Sequence, residues 1–148
     1  MTTPPAVFTQ FGQTLAFAER TLSAILHEHL AQRGTRPETW YALQLLAARG
    51  PVLPRAELIS LLAGSRELNA GIAREAVTRL ESDGFITGGT QVSLTAEGQA
   101  EFRSLRQFVS QPTIRLLSQF DTGDIETTVR TMRAITQRAA EEQAAAAR

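Results

Sequence analysis

The sequence predicts a mainly α-helical protein that carries one small β-hairpin. Apolar residues recur at spacings of three and four over most of the 148 residues, which is the period of an α-helix. The pair Gly88-Gly89 lies between two short segments with β-branched residues, which is a hairpin signal. The length fits one domain, and cysteine is absent, so disulfides, thiolate catalysis and Cys-ligated zinc sites are excluded.

Three predicted helices occupy the first part of the chain. The first covers residues 5–33 and carries one wide apolar stripe. The second covers residues 37–49; it begins with a proline at a first-turn position and ends at Gly50-Pro51. The third predicted helix is short: it begins after Pro54 and ends near Gly64.

The fourth predicted helix covers residues 70–83. Asn69 is a suitable N-cap, and Gly84 suits a left-handed C-terminal cap. At 100° per residue the helix has two different faces. The apolar face consists of Ala73, Ala76, Val77 and Leu80. The opposite face consists of Gly71, Arg74, Glu75, Thr78 and Ser82.

The hairpin completes a module with the helices before it. Residues 85–87 and 90–94 would form the two arms, and a primed two-residue turn between them needs a positive φ at both glycines. Three helices and a hairpin, with small polar residues outward on the last helix, predict a winged helix-turn-helix over residues 36–95.

Further helices flank this module on both sides. Thr95 caps a fifth helix in which Pro112 predicts a kink or a break, and the last helix is expected to begin at Ile125 after a turn. The outer helices carry more apolar surface than the module can cover, so we expect an obligate homodimer. The predicted organisation, in one continuous fold, is an N-terminal dimerisation helix in residues 1–35, the module in residues 36–95 and C-terminal dimerisation helices in residues 96–148.

Three stretches of the chain carry a resemblance to a known family. They are residues 38–46 (ETWYALQLL), 77–86 (VTRLESDGFI) and 92–98 (VSLTAEG). Together with the order and spacing of the six helices, they resemble the MarR-type transcriptional regulators over nearly the whole chain. The resemblance implies a homodimer that binds pseudopalindromic double-stranded DNA, usually as a repressor. It also implies that binding of a small, often aromatic anion releases the DNA, as in many members of the family.

The same resemblance implies a DNA-binding surface centred on the helix at residues 69–83. Arg74 is the first candidate for a bidentate contact to guanine, whereas Arg79 and Arg66 would contact phosphate. Gly71 would either let the backbone approach DNA closely or simply be tolerated in the first turn. The implied surface consists of Arg55, Arg66, Asn69, Gly71, Arg74, Glu75, Thr78, Arg79, Gly88, Gly89 and Thr90.

A pocket for a small aromatic or anionic effector is expected where the first helix meets the module. Trp40 lies on the same stripe as Leu43, which favours a place in the core; the alternative is an aromatic wall of the pocket. Arg20 could offer a cation to an effector carboxylate, although the sequence favours a solvent-facing arginine at this position. The candidate pocket residues are Arg20, His27, Trp40 and Tyr41.

The charge of the module favours an alternative function. The formal net charge of the chain is zero, and residues 51–94 contain four arginines against five acidic side chains. The short wing at residues 88–90 contains no cation, whereas DNA affinity depends largely on neutralising phosphates. The alternative is a dimeric winged-helix scaffold that binds a protein or a small molecule and does not read DNA.

Other classes of function are disfavoured. The sequence contains no Gly-rich phosphate loop, His-Glu-x-x-His or Gly-x-Ser-x-Gly motif, so neither an enzyme nor a cofactor is expected. His27 and His29 are two residues apart on a helix and therefore point about 200° from each other, which disfavours a metal site. No apolar run approaches the ~18–20 residues of a membrane span, and no signal peptide is evident, so a cytoplasmic protein is expected.

Overall fold

The computed structural model describes residues 2–65 and 68–148, and the predicted mainly helical architecture with a small wing is confirmed. Within those residues no helix is long and apolar enough to cross a membrane. The elements are α1 (Ala6–Ala31), α2 (Pro37–Arg49), β1 (Leu53–Pro54), α3 (Arg55–Ser65), α4 (Ala70–Ser82), β2 (Gln91–Val92), α5 (Ala96–Leu117) and α6 (Thr122–Ala146).

The chain forms two compact units, one ending at Val109 and the other covering Ser110–Arg148. In the first unit α2, α3 and α4 pack on one another around a continuous apolar core. Each fully buried Leu or Val side chain stabilises this core by about 1.5–3 kcal/mol relative to an exposed one. The largest fully buried side chains are Leu30, Leu43, Leu46, Leu58, Leu62, Leu80, Leu105, Val77 and Val92. In the second unit, by contrast, α6 buries none of its residues.

Two helix starts show how local capping determines the boundaries. Asn69 caps α4 as predicted, since its side-chain oxygen accepts a hydrogen bond of 2.8 Å from the Ile72 backbone N–H. Asp121 caps α6 in the same way through the Asp124 N–H, at 3.0 Å. The predicted start of the last helix at Ile125 is therefore wrong by three residues, because the cap lies earlier than the turn-like composition of this segment indicated.

The wing differs from the predicted two-residue hairpin. Its arms pair as expected through the Ile86–Leu94 bridge, but β2 then pairs antiparallel with β1, so that Val92 lies opposite Leu53. Only Gly89 has a positive φ, of 100°, and the prediction of positive φ at both glycines is wrong. The reason is that the strand after the tip pairs with β1, which leaves a wider loop than a primed turn.

A tight joint connects the end of α4 with the start of α5. The Thr95 hydroxyl donates to the Gly84 carbonyl at 2.6 Å, and the Thr95 N–H donates to the Phe85 carbonyl at 3.0 Å. A Cβ atom on Gly98 would collide with that same Phe85 carbonyl oxygen. Backbone therefore packs directly on backbone here, and Gly84, with a φ of 78°, provides the left-handed turn that was predicted.

The predicted break at Pro112 does not occur, because α5 continues through this residue to Leu117. A proline inside a helix has no N–H for the carbonyl four residues earlier, which here is that of Phe108. The His29 ring supplies the missing donor: its Nε2 lies 2.8 Å from the Phe108 carbonyl oxygen. The His29 ring also stacks on the Phe108 ring, with the two centroids 3.8 Å apart. A side chain of α1 thus satisfies the carbonyl that Pro112 leaves without a backbone donor.

Candidate nucleic-acid interface and effector pocket

The outward face of α4 collects five of the predicted DNA-binding residues on one surface. The opposite face is buried in the core, as the helical periodicity predicted. Together with Ser82, the five residues line an open groove of about 570 Å³. They are Gly71, Arg74, Glu75, Thr78 and Arg79.

The groove carries two cations and one anion. Arg74 and Glu75 are exposed, and Arg79 is half-buried at the edge of the groove. Neither arginine forms a salt bridge or a side-chain hydrogen bond within the part of the chain that the structure describes. Both guanidinium groups can therefore bind a phosphate or a base edge without first breaking a contact with these described residues.

The first turn of α4 has a structural reason for its glycine. A Cβ atom on Gly71 would lie 3.1 Å from Asn69 Oδ1, the oxygen that caps the helix. Glycine at this position therefore leaves room for the cap, which is a third explanation beside close approach to DNA and simple tolerance. Asn69 Oδ1 accepts the capping hydrogen bond, and the Nδ2 group, which is a donor, remains for another partner.

Arg55 is held by a residue that the sequence interpretation missed. Its guanidinium donates to Glu81 at 2.6 Å, and its backbone N–H donates to the Thr90 carbonyl at 2.8 Å. A Cβ atom on Gly88 would lie only 2.5 Å from the other Glu81 oxygen. Arg55 and Glu81 thus join the start of α3, the end of α4 and the wing. The pair is 26 residues apart in the sequence, so no local spacing indicated it.

The remaining DNA-binding candidates are only partly placed. Gly88, Gly89 and Thr90 form the exposed tip of the wing. Arg66 lies outside the described residues, so its predicted role stays a prediction. Ile72 is an apolar side chain of α4 off the core face, and it is 38% exposed in the first turn of the helix.

Three of the four predicted effector-pocket residues line one cavity of about 520 Å³ beside α1 and α2. They are Arg20, His27 and Tyr41, and the wall also contains Glu19, Ser23, Ala24, Pro37, Glu38 and Leu68. Trp40 does not line this cavity. It is buried in the core, with its ring stacked on Phe102 at a centroid distance of 5.7 Å.

The charges in this cavity do not favour a simple anion. His27 Nε2 lies 2.8 Å from the Tyr41 hydroxyl, and the Arg20 guanidinium lies over the Phe17 ring, 4.8 Å from its centroid. The wall contributes two carboxylates, and Glu38 Oε2 is buried without a hydrogen-bond partner among the described residues. A buried carboxylate oxygen without a donor is unfavourable, so a ligand with an N–H or O–H group suits the cavity better than a bare carboxylate.

The two histidines of α1 have separate partners. His27 contacts Tyr41, whereas His29 donates to the Phe108 carbonyl and stacks on its ring. Arg33 also lies over the Phe108 ring, 5.2 Å from the centroid. Within residues 2–65 and 68–148 no three His, Asp or Glu side chains are grouped so as to hold a metal ion.

Comparison with known proteins shows the fold. No protein-family model matches the chain, and no curated protein matches it. A MarR family protein from Bacillus stearothermophilus has a similar structure, with a TM-score of 0.73 and 17% identity over 94% of this chain and 99% of that one. At such identity the likeness shows the fold alone, and the chain has the winged-helix fold of MarR family structures.

Two structures of a MarR family protein from Mycobacterium tuberculosis are also similar. One is a complex with DNA, with a TM-score of 0.71 and 20% identity, covering 90% of this chain and 98% of that one. The other is a complex with salicylic acid, with a TM-score of 0.70 and 19% identity, covering 84% of this chain and 96% of that one. The same fold therefore occurs with DNA and with a small aromatic acid.

Proposed function

We propose that this chain, which has the fold of the MarR family, is a DNA-binding transcriptional regulator that acts as a homodimeric repressor. The observation that carries the proposal is the outward face of α4, where Arg74 and Arg79 line one groove and form no salt bridge with any residue that the structure describes. A helix of this kind enters the major groove in winged helix-turn-helix proteins. A structure of the same fold has been solved with DNA.

Within the proposed interface the side chains have different tasks. Arg74 donates two hydrogen bonds to guanine O6 and N7, and Glu75 accepts from a cytosine amino group, which are contacts that specify sequence. Arg79 and Arg66 bind phosphates, which position the helix without specifying sequence. Thr78 and the Nδ2 group of Asn69 supply further donors.

The proposed wing contributes little electrostatic attraction. Gly88, Gly89 and Thr90 carry no cation, and the guanidinium of Arg55 is neutralised by Glu81. Three arginines per subunit therefore remain for phosphate and base contacts. Two of them, Arg79 and Arg66, are assigned to phosphates, so a dimer with four phosphate contacts should show a slope of about −3.6 in a plot of log affinity against log salt concentration. We expect moderate affinity that falls steeply with salt.

The homodimer is proposed from apolar surface that one chain leaves exposed. On α1 the exposed large apolar side chains are Val7, Phe8, Phe11, Leu15, Phe17, Leu22 and Ile25. In the second unit they are Ile114, Leu117, Phe120, Val129, Met132 and Ile135. A monomer rarely exposes so many large apolar side chains on its helices, and a second copy would cover them. Two α4 helices related by the dimer axis would then read half-sites about 34 Å apart.

The cavity beside Arg20, His27 and Tyr41 is proposed as an effector pocket. Its size suits a small aromatic molecule. The unpartnered Glu38 oxygen favours an effector that carries a hydrogen-bond donor. Binding at the contact between α1 and α2 would release DNA if it changed the position of α4 relative to the second subunit.

The proposal is tested by fluorescence anisotropy with a labelled duplex from the region upstream of the chain's own gene. A scrambled duplex of equal length is the reference, and the salt concentration is varied. Arg74→Ala should lower the ratio of specific to nonspecific affinity about tenfold, whereas Arg79→Ala should weaken both duplexes alike. Arg130→Ala, on α6, is the matched control. Absence of salt-sensitive binding to either duplex would refute the proposal.

A second candidate function is the interaction or ligand-sensing scaffold. It is favoured by the uncharged wing and by the pairing of Arg55 with Glu81. If the chain is such a scaffold, the native dimer and the Arg74→Ala variant will both fail to bind DNA at 50 mM salt, while ligand binding in the effector pocket persists.

A further inference from the structure

A second cavity lies apart from both proposed sites. It has a volume of about 630 Å³ and is formed where the end of α2, the segment before β1, the end of β2 and the first turns of α5 meet. None of its lining residues belongs to the α4 groove or to the cavity beside His27. They are Leu46, Ala47, Gly50, Pro51, Val52, Ser93, Leu94, Gln99, Phe102 and Arg103.

One wall of this wing-base cavity is apolar and well supported. Phe102 stacks on the buried Trp40 ring and packs against the core, so its position is held by the core. Leu94 is half-buried beside it, whereas Val52 is 55% exposed. An apolar ligand that covered Val52 and Phe102 would remove apolar surface from water without any rearrangement of the core.

The rim of the same cavity carries one cation and no acidic side chain. Arg103 is exposed, and it forms no salt bridge with any residue that the structure describes. Gln99 lies four residues earlier on α5, and therefore on the same helix face, where its amide can donate a hydrogen bond. The cavity beside His27 differs in this respect, because it contains Glu19 and Glu38.

We propose that the wing-base cavity binds an amphiphilic organic anion. The apolar body of the ligand lies on Val52, Leu94 and Phe102, and its carboxylate or sulfonate accepts hydrogen bonds from the Arg103 guanidinium and the Gln99 amide. An arginine fork matches the planar geometry of a carboxylate, and a cavity of this volume is within the range of small-molecule sites. This site is independent of the proposed DNA-binding function and of the proposed effector pocket.

The test uses two fluorescent probes that share one ring system. The anionic probe is 1-anilinonaphthalene-8-sulfonate, and the neutral probe is N-phenyl-1-naphthylamine, which lacks the sulfonate. Both are titrated into the full-length protein at pH 7, and circular dichroism verifies the fold of every variant. Other apolar surfaces also bind these dyes, so the relevant quantity is the change in affinity caused by each substitution.

Arg103→Gln should raise the Kd of the anionic probe about threefold to tenfold and leave that of the neutral probe unchanged. Arg106→Gln, an exposed arginine on the same helix, should leave both constants unchanged. Ala47→Trp, which fills the cavity without touching the cation, should weaken both probes. If Arg103→Gln and Arg106→Gln weaken the anionic probe equally, or if Ala47→Trp weakens neither probe, the proposed site is wrong. These measurements contain no DNA, so they stand apart from the test of the proposed function.

Discussion

Replacing His29 with alanine is expected to destabilise the first unit by about 1.5–3.5 kcal/mol. The substitution removes a side-chain donor at the half-buried Phe108 carbonyl; an unpartnered polar group costs about 1–3 kcal/mol when fully buried, so the lower half of that range, about 1–2 kcal/mol, applies here. It also removes a stacked ring pair with centroids 3.8 Å apart, which contributes about 0.5–1.5 kcal/mol. The measurement is urea unfolding at one fixed protein concentration, because the stability of a dimer depends on concentration.

A double-mutant cycle with Pro112 isolates the hydrogen bond. In Pro112→Ala the backbone N–H of residue 112 returns and can donate to the Phe108 carbonyl, as in an ordinary helix. His29→Ala should then cost about 1–2 kcal/mol less than in the native chain, because the carbonyl keeps a donor. His27→Ala is the matched control, since its partner Tyr41 does not involve Pro112, and it should cost the same in both backgrounds.

The cycle can also refute this reasoning. Equal costs of His29→Ala with and without Pro112 would show that the histidine acts only by packing on the Phe108 ring. A cost larger in the Pro112→Ala background would show that the proline and the histidine do not share the carbonyl at all.

Three further predictions concern the joint, the wing and base recognition. Gly98→Ala should destabilise the chain by about 1–3 kcal/mol or more in thermal unfolding, because its Cβ would collide with the Phe85 carbonyl, whereas Gly12→Ala, with open space around it, should be neutral or stabilising. Glu81→Gln should release Arg55 and raise nonspecific DNA affinity, steepening the salt slope by about 0.9 per subunit; an unchanged slope would contradict the pairing. If the exposed Ile72 side chain contacts a thymine methyl group in the proposed complex, thymine should be preferred over uracil about threefold at one position of the half-site and Ile72→Ala should abolish this preference; a preference that survives the substitution would exclude Ile72 as its source.

The helices were predictable because their signals are local. The bounds of α2 coincide with the prediction, since a proline at its start and Gly50 at its end mark both termini within the sequence itself. Asn69 and Gly84 mark α4 in the same way. Clustering of the exposed residues of α4 then follows from periodicity alone, which is why that part of the candidate site was predictable.

The features that were missed depend on contacts between distant residues. Strand β1 is two residues long and contains Pro54, so nothing in its own sequence favours a strand; it forms because Leu53 lies opposite Val92. The salt bridge of Arg55 with Glu81 and the support of Phe108 by His29 likewise join separate elements. Pro112 was expected to kink or break α5, and its sequence neighbourhood could not show that the helix continues, because the donor that replaces its N–H lies on another helix.

The joint built from Thr95 and Gly98 has a mechanical consequence. Its hydrogen bonds and the backbone contact between Gly98 and Phe85 make the connection between the end of α4 and the start of α5 rigid. A tilt of a few degrees at the start of α5 would therefore be transmitted to α4, because the intervening chain cannot absorb it by bending. Because the connection is stiff, a small displacement of α5 would also displace the exposed surface of α4.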